Sequence, residues 1–125
     1  MEEYLVDTNA VSHYLSGNLP ELGMVFLDNV INAVPNLSII SQIELLTWNS
    51  TKNVVVKDFI TDSFIFNISP EIVNICVTIR KGKKIKIPDA IIAATALVNG
   101  FTLVTDNEKD FEGIPTLKII NPKKL

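Results

Sequence analysis

The sequence predicts an α/β fold, a three-layer sandwich around a mainly parallel five-stranded sheet, and two observations carry that prediction. Short apolar runs without in/out alternation recur along the 125 residues, as strands covered on both faces do. Segments with apolar residues at three-four spacing lie between them, as helices packed on such a sheet do.

In chain order, Tyr4 to Val6 reads as the first strand, and a first helix follows with Val11, Tyr14 and Leu15 on its apolar side. Leu22, Val25, Phe26, Asn29, Val30 and Ala33 form the next helical stripe. Leu37 to Ile40 and Phe64 to Ile68 read as strands. Ser69-Pro70-Glu71 is a helix start, followed by the stripe Ile72, Ile75, Cys76 and Ile79. Pro88-Asp89 opens a helix running from Ala90 to Asn99, and Gly100 ends it. Thr102 to Val104 and Leu117 to Ile120 complete the set of strands. No linker, low-complexity tract or repeat interrupts this order, so residues 1–125 are expected to form one domain.

Composition narrows the function classes. With 47% apolar and 20% charged residues the chain has ordinary globular usage. Cys76 is the lone cysteine and His13 the lone histidine, which excludes an internal disulfide and a zinc site of the usual make-up. Ala90 to Val98, the most apolar stretch, is too short to span a bilayer, and the acidic start Met1-Glu2-Glu3-Tyr4 lacks the cations of a secretory signal. A soluble, cytoplasmic protein is expected. The net charge of −3 argues against coating nucleic acid by bulk attraction. Yet five of the eleven basic residues, Arg80, Lys81, Lys83, Lys84 and Lys86, fall in one stretch free of acids, so attraction for a polyanion is local.

In open parallel sheets the site lies outside the carboxyl ends of the strands. Asp7 and Asp106 follow the first and fourth strands, Glu44 lies one turn beyond the second, and Asp89 starts an otherwise apolar helix. Singly, each acid has a plain alternative: Asp7, Asp89 and Asp106 suit helix or turn starts, where a negative side chain stabilises by about 0.3–1 kcal/mol. Glu44, flanked by Ile43, Leu45 and Leu46, is harder to dismiss. Gathered at one end of one sheet, like charges about 4 Å apart would repel by roughly 4 kcal/mol at an effective dielectric of 20. A divalent cation offsets that, and oxygen-only donors favour Mg²⁺ or Mn²⁺. Such a site suits phosphodiester chemistry. The basic stretch leads directly into Asp89, where it could hold a phosphate backbone or simply form a solvated helix end.

The order Leu5-Val6-Asp7-Thr8-Asn9, then Glu44, then Ile87-Pro88-Asp89-Ala90-Ile91-Ile92-Ala93-Ala94-Thr95-Ala96, then Leu103-Val104-Thr105-Asp106-Asn107 and Asp110-Phe111, resembles a PIN-domain ribonuclease. More narrowly it is similar to the VapC-like toxins of type II toxin-antitoxin systems. The resemblance implies the sandwich fold, Mg²⁺- or Mn²⁺-dependent RNA cleavage leaving a 5′-phosphate, a cognate antitoxin and a homodimer. It implies Asp7, Glu44 and Asp89 as core acids, with Asp106 as the fourth and Asp110 as its competitor. Thr8, Asn9 and Thr105 match supporting neighbours. The apolar first helices, with Val11, Tyr14 and Leu15 followed by Leu19, Leu22 and Phe26, match a groove that receives the antitoxin. His13 is expected to be a surface or packing residue, Cys76 a core residue, and Tyr14, Trp48, Phe64, Phe66 and Phe101 core aromatics before stacking platforms.

Two rival classes are weighed beside this reading. A magnesium-binding receiver or phosphatase-like domain also places Asp at strand ends, but Asn9 stands where the phosphatase needs a second Asp and no acidic pair precedes Asp7. A non-catalytic module of the same fold that only binds RNA through the basic stretch is the second rival.

Overall fold

The structure, a computed structural model, describes residues 2–48 and 53–125. Its strands are β1 (Tyr4–Val6), β2 (Asn36–Ser38), β3 (Phe64–Phe66), β4 (Thr102–Val104) and β5 (Ile119–Ile120). They form one sheet in the order β3-β2-β1-β4-β5, with every neighbouring pair parallel. The helices are α1 (Thr8–Leu15), α2 (Glu21–Asn32), α3 (Ile39–Thr47), α4 (Asn53–Thr61), α5 (Pro70–Gly82), α6 (Ile87–Asn99) and the single turn α7 (Glu108–Phe111). A 3₁₀ turn, Pro122–Lys124, follows β5.

The pleat divides the core into two layers. Leu5 and Leu103 join Ile72, Cys76 and Ile79 of α5 and Ala90, Ala93 and Ala94 of α6 on one face. Val6, Val104 and Leu37 face the other way and pack with Ala10, Leu27, Leu45 and Phe59 from the first four helices. Alternate strand residues point to opposite faces, so burial of both explains why the strands show no polar alternation. The small residues of α6 let it lie close on the sheet, with Ala90, Ala93, Ala94 and Ala96 fully inaccessible.

Several boundaries differ from the sequence expectation for local reasons. The second strand stops at Ser38, whose hydroxyl accepts the Ile40 amide (3.1 Å) and starts α3, so Ile39 and Ile40 are helical. The third strand ends at Phe66, where Ser69 caps α5 through the Ile72 amide (3.2 Å). The α6 helix starts at Ile87 and ends, as expected, on Gly100 in the left-handed region (φ 69°). The last strand contracts to Ile119–Ile120. Helices α4 and α7 go beyond the sequence expectation, although Val56, Phe59 and Ile60 lie at helical spacing and are buried.

Strand order reverses across β1, which has β2 on one side and β4 on the other. That reversal opens a crevice beyond the carboxyl ends of β1 and β4, the usual ligand position in open parallel sheets. Among the described residues, no helix is long and apolar enough to cross a membrane.

Candidate active site

Asp7 leaves β1 and enters this crevice. Its backbone amide remains in the sheet, donating to the Val104 carbonyl (2.9 Å). Its carboxylate is held at both oxygens: Oδ1 accepts the Thr8 amide (2.8 Å) and Oδ2 accepts the Thr105 hydroxyl (2.8 Å). Thr105, fully buried at the end of β4, also accepts the Asn107 amide at its hydroxyl (3.0 Å). Asp7 is only 5% exposed. Burial pushes its pKa from an ordinary 3.8 to about 6 against those hydrogen bonds, with Asp89 and Glu44 pushing the same way.

Glu44 reaches the crevice from α3, six residues past the Ser38 cap. The Thr8 hydroxyl lies 2.6 Å from Glu44 Oε1 and 2.9 Å from Ser41 Oγ. A hydroxyl has one proton and an ionised carboxylate only accepts, so Thr8 donates to Glu44 while buried Ser41 donates to Thr8. Asp89 sits in the first turn of α6, half-buried. Burial raises its pKa, the negative charges of Asp110 and Glu44 add to the rise, and Lys86 opposes them. Asp110, exposed on α7, is oriented by Asn107, whose Nδ2 donates to Oδ2 at 2.6 Å. Asp7, Glu44, Asp89 and Asp110 therefore act on one another electrostatically.

Asp106 occupies a different setting. Its Oδ2 is paired with His13 Nε2 at 3.0 Å and with Lys123 Nζ at 3.1 Å. Its Oδ1 is buried and has no hydrogen-bond partner among the described residues. Neighbours in sequence do not announce the pairing, because Lys123 arrives from beyond β5, seated by the packing of Pro122 on Gly23 of α2. His13, 30% exposed, lies at the surface and is paired there with Asp106. Asn9 is exposed on α1 and makes no hydrogen bond to the acids among the described residues.

The basic stretch divides. Lys83, Lys84 and Lys86 border a cleft of about 530 Å³ whose other walls include Asp89, Lys109 and Asp110. Arg80 also reaches it and donates from Nε to the Ile85 carbonyl (3.1 Å), tying the loop to buried Ile85. Lys81 borders an apolar groove with Val73, Val77 and Ile87, and shares a further pocket with Arg80, Lys83 and Lys84. Of the aromatics, Phe66 packs between Phe64 and Phe101 with ring centroids 4.7 and 5.3 Å away, and Tyr14 donates to Asp28. Phe64 and Trp48 are exposed, while Cys76 is in the core.

The donor chemistry suits a hard divalent cation. The ionisable groups in the crevice offer only carboxylate oxygens, mutually repelling and partly desolvated, and Asp106 Oδ1 is an unpaired buried acceptor nearby in sequence. Among the described residues no three carboxylate, imidazole or thiol groups are close enough to close on one ion.

The family model of the PIN domain matches residues 4–117. Three solved structures are similar over nearly the whole chain. A toxin-antitoxin complex from Klebsiella pneumoniae is 30% identical, with 96% of this chain and 98% of that one covered and a TM-score of 0.75. FitAcB from Neisseria gonorrhoeae is 27% identical, with 98% and 99% covered and a TM-score of 0.80. DNA-bound VapBC from Salmonella typhimurium is 25% identical, with 98% and 99% covered and a TM-score of 0.79. No curated protein matches the chain.

Proposed function

The chain belongs to the PIN-domain family, and from that premise we propose that it is a metal-dependent endoribonuclease, the toxin of a type II toxin-antitoxin pair. What supports this reading is that Asp7 feels the charges of Asp89 and Glu44, and Asp89 those of Asp110 and Glu44, at the strand-order reversal. Asp7 and Asp89 would hold Mg²⁺ or Mn²⁺ directly, and Glu44 and the fourth acid through water. When bound, the cation offsets the carboxylate repulsion, acidifies water and neutralises charge developing on the scissile phosphate.

The protein's own groups prepare that site. Thr105 and the Thr8 amide hold both oxygens of Asp7. The Thr8 hydroxyl, itself held by Ser41, fixes Glu44. Asn107 joins the two halves, anchored to Thr105 through its amide and aiming Asp110 through its side chain. Of the two candidates for fourth acid, Asp110 is the one whose charge acts on Asp89, while Asp106 is tied to His13 and Lys123. Arg80, Lys81, Lys83, Lys84 and Lys86 are the proposed RNA contacts.

Similarity to toxin-antitoxin complexes supports an antitoxin as partner. In the α1–α2 surface proposed to receive it, Val11 and Leu19 are buried, leaving Leu22 and the partly buried Tyr14, Leu15 and Phe26 for contact. A homodimer in the cytoplasm completes the proposal. Incubating the purified protein with a mixed RNA pool, with and without Mg²⁺, tests it. Metal-dependent cleavage that Asp7→Asn abolishes is the expected result. RNA binding without turnover under any metal would instead identify a non-catalytic module.

A further inference from the structure

At the end of the sheet away from the carboxylate crevice, a cleft of about 830 Å³ opens beyond the first residues of three strands, Tyr4 of β1, Asn36 of β2 and Phe64 of β3. Its charged lining is acidic: among the described residues Glu2 and Glu3 border it and no lysine or arginine does. Glu2 is held in place. The Thr102 hydroxyl donates to its Oε2 (2.6 Å) and the Tyr4 hydroxyl to its Oε1 (2.9 Å). These two bonds keep its carboxyl below the usual range, with Lys118 adding a weaker pull from outside the cleft. The Glu3 side chain makes no ion pair among the described residues. Helix α2 ends at the cleft with no basic residue in its last turn, so its carbonyl end adds negative potential. The remaining walls are aromatic and apolar. Tyr4 packs edge-on against Phe26 with ring centroids 5.1 Å apart, and Phe64 is 57% exposed. Val34 lies in the left-handed region (φ 63°) directly before Pro35. That conformation strains a β-branched residue, and a following proline disfavours it further. The strain serves no core, because Val34 is 57% exposed on the cleft wall. Strain of this kind concentrates at ligand clamps and switch regions.

We propose that this cleft docks a short basic segment of a partner polypeptide, an arginine lying over the aromatic wall and pairing with Glu2 and Glu3 while a neighbouring apolar side chain covers Val34 and Phe64. The chemistry of the lining selects that occupant. Two carboxylates and a helix carbonyl end repel nucleic acid and acidic segments alike. A guanidinium pairs bidentately with carboxylate and stacks on aromatic faces, and this cleft sets acids beside Tyr4, Phe26 and Phe64. The exposed Val34 and Phe64 side chains favour an occupant with an apolar part over a hydrated inorganic cation. A polyamine would satisfy the acids and leave those two side chains in water, whereas adjacent residues of a polypeptide supply both parts. Phe26 also borders the α1–α2 surface, but docking here depends neither on what that surface receives nor on nuclease activity.

The test uses the full chain and a fluorescein-labelled peptide, Gly-Arg-Val-Arg-Val-Gly, followed by anisotropy at low ionic strength. Glu3→Gln should weaken binding about threefold, and Glu2→Gln with Glu3→Gln about tenfold. Unfolding midpoints check that each variant is folded, and Glu3, which makes no ion pair among the described residues, keeps the test open if the double variant is not. Phe64→Leu, which keeps an apolar side chain and removes the ring, should also cost about threefold. Glu21→Gln, exposed at the start of α2, should leave the affinity unchanged. The peptide with glutamate in place of both arginines should not bind. Unmoved affinity in Glu3→Gln and in the double variant, or an equal loss in Glu21→Gln, would overturn the site. Asp89→Asn with Asp110→Asn distinguishes the other acidic surface: a loss there, with none in the Glu2 and Glu3 variants, would put the peptide in the crevice and overturn the cleft. Spermidine that displaces the peptide at equal concentration would make the occupant a small organic cation. Sedimentation showing a dimer of the peptide-free chain that Phe64→Leu dissociates would make it a second copy. Either result overturns the proposal.

Discussion

Lys123, beyond the last strand, closes on Asp106 at the end of β4, with Nζ 3.1 Å from Oδ2. The contact belongs to a clasp of the chain's end on the β4–α7 segment. Asn121 donates to Glu108 Oε2 at 3.0 Å, and Lys124 pairs with the same oxygen at 2.5 Å. Those two contacts hold the Glu108 carboxyl below its usual range. The clasp fixes the segment from which Asp110 faces Asp89.

Its anchor is Gly23. A Cβ at this position would collide with the Pro122 carbonyl oxygen, which is backbone and cannot swing aside. Gly23→Ala gains roughly 1 kcal/mol of helix propensity, but forced overpacking costs about 1–3 kcal/mol. A net loss of about 1 kcal/mol in urea denaturation is expected, with faster proteolytic trimming of the last residues. Unchanged trimming would show that the turn does not depend on the glycine.

Asp7 makes metal-free stability depend on pH. Its pKa is about 6 in the folded chain against an ordinary 3.8, so between these values the folded state keeps a proton that the unfolded state has released. This contribution is fully present below the unfolded value and is lost as pH rises through about 6. Asp7→Asn, which cannot ionise, should therefore stabilise the chelator-treated protein by up to about 3 kcal/mol at pH 7 to 8. The gain should shrink toward zero near pH 4, as read from denaturation midpoints at each pH. A mutant equally stable to the parent throughout would mean that Asp7 ionises without penalty.

Much of this arrangement is legible in the residues because burial writes itself into them. Two-sided covering of the sheet removes alternation from Leu5-Val6 and Leu103-Val104, and the small residues of α6 announce close packing. Asp7, Glu44 and Asp89 can be singled out because an acid after an apolar strand or within an apolar run needs a reason. What stays hidden depends on contacts distant in sequence. Nothing near Asp106 in the chain predicts Lys123, and nothing near Lys84 predicts Lys109 across the cleft. The end of β2 departs from expectation for a local reason, since Ser38 acts as a helix cap inside an apolar run. Residues 49–52 lie outside the described structure, and no expectation falls on them alone.

Thr105 should tune the pH profile of cleavage. Its hydroxyl donates to Asp7 Oδ2 and is the strongest hydrogen bond holding the Asp7 pKa down against burial. Thr105→Val keeps the shape and removes the donor, so the Asp7 pKa rises and the acidic limb of the pH–rate profile should move to higher pH. Losing a partner behind a metal ligand typically costs about 10–100-fold in metal affinity or activity. Thr105→Ser, which restores the donor, should recover most of it. A rate loss with an unmoved limb, or no recovery with serine, would point to packing as the role of this residue.

The two candidates for fourth acid give opposite expectations. Asp89 is raised first by burial and next by Asp110, so Asp110→Asn should lower the Asp89 pKa while removing an oxygen donor from the site. Mn²⁺ titration should show roughly tenfold weaker binding, and cleavage should fall in parallel at subsaturating metal. Asp106→Asn keeps the shape but discharges the partner of His13 and Lys123. These side chains are partly exposed, so its cost is about 1 kcal/mol of stability, diminishing with salt. Its Mn²⁺ affinity should change by less than about threefold, because its paired oxygen is turned to His13 of α1 and Lys123 at the chain's end. If instead Asp106→Asn abolishes Mn²⁺ binding and Asp110→Asn spares it, the unpaired Oδ1 of Asp106 is the fourth ligand and the clasp serves to aim it.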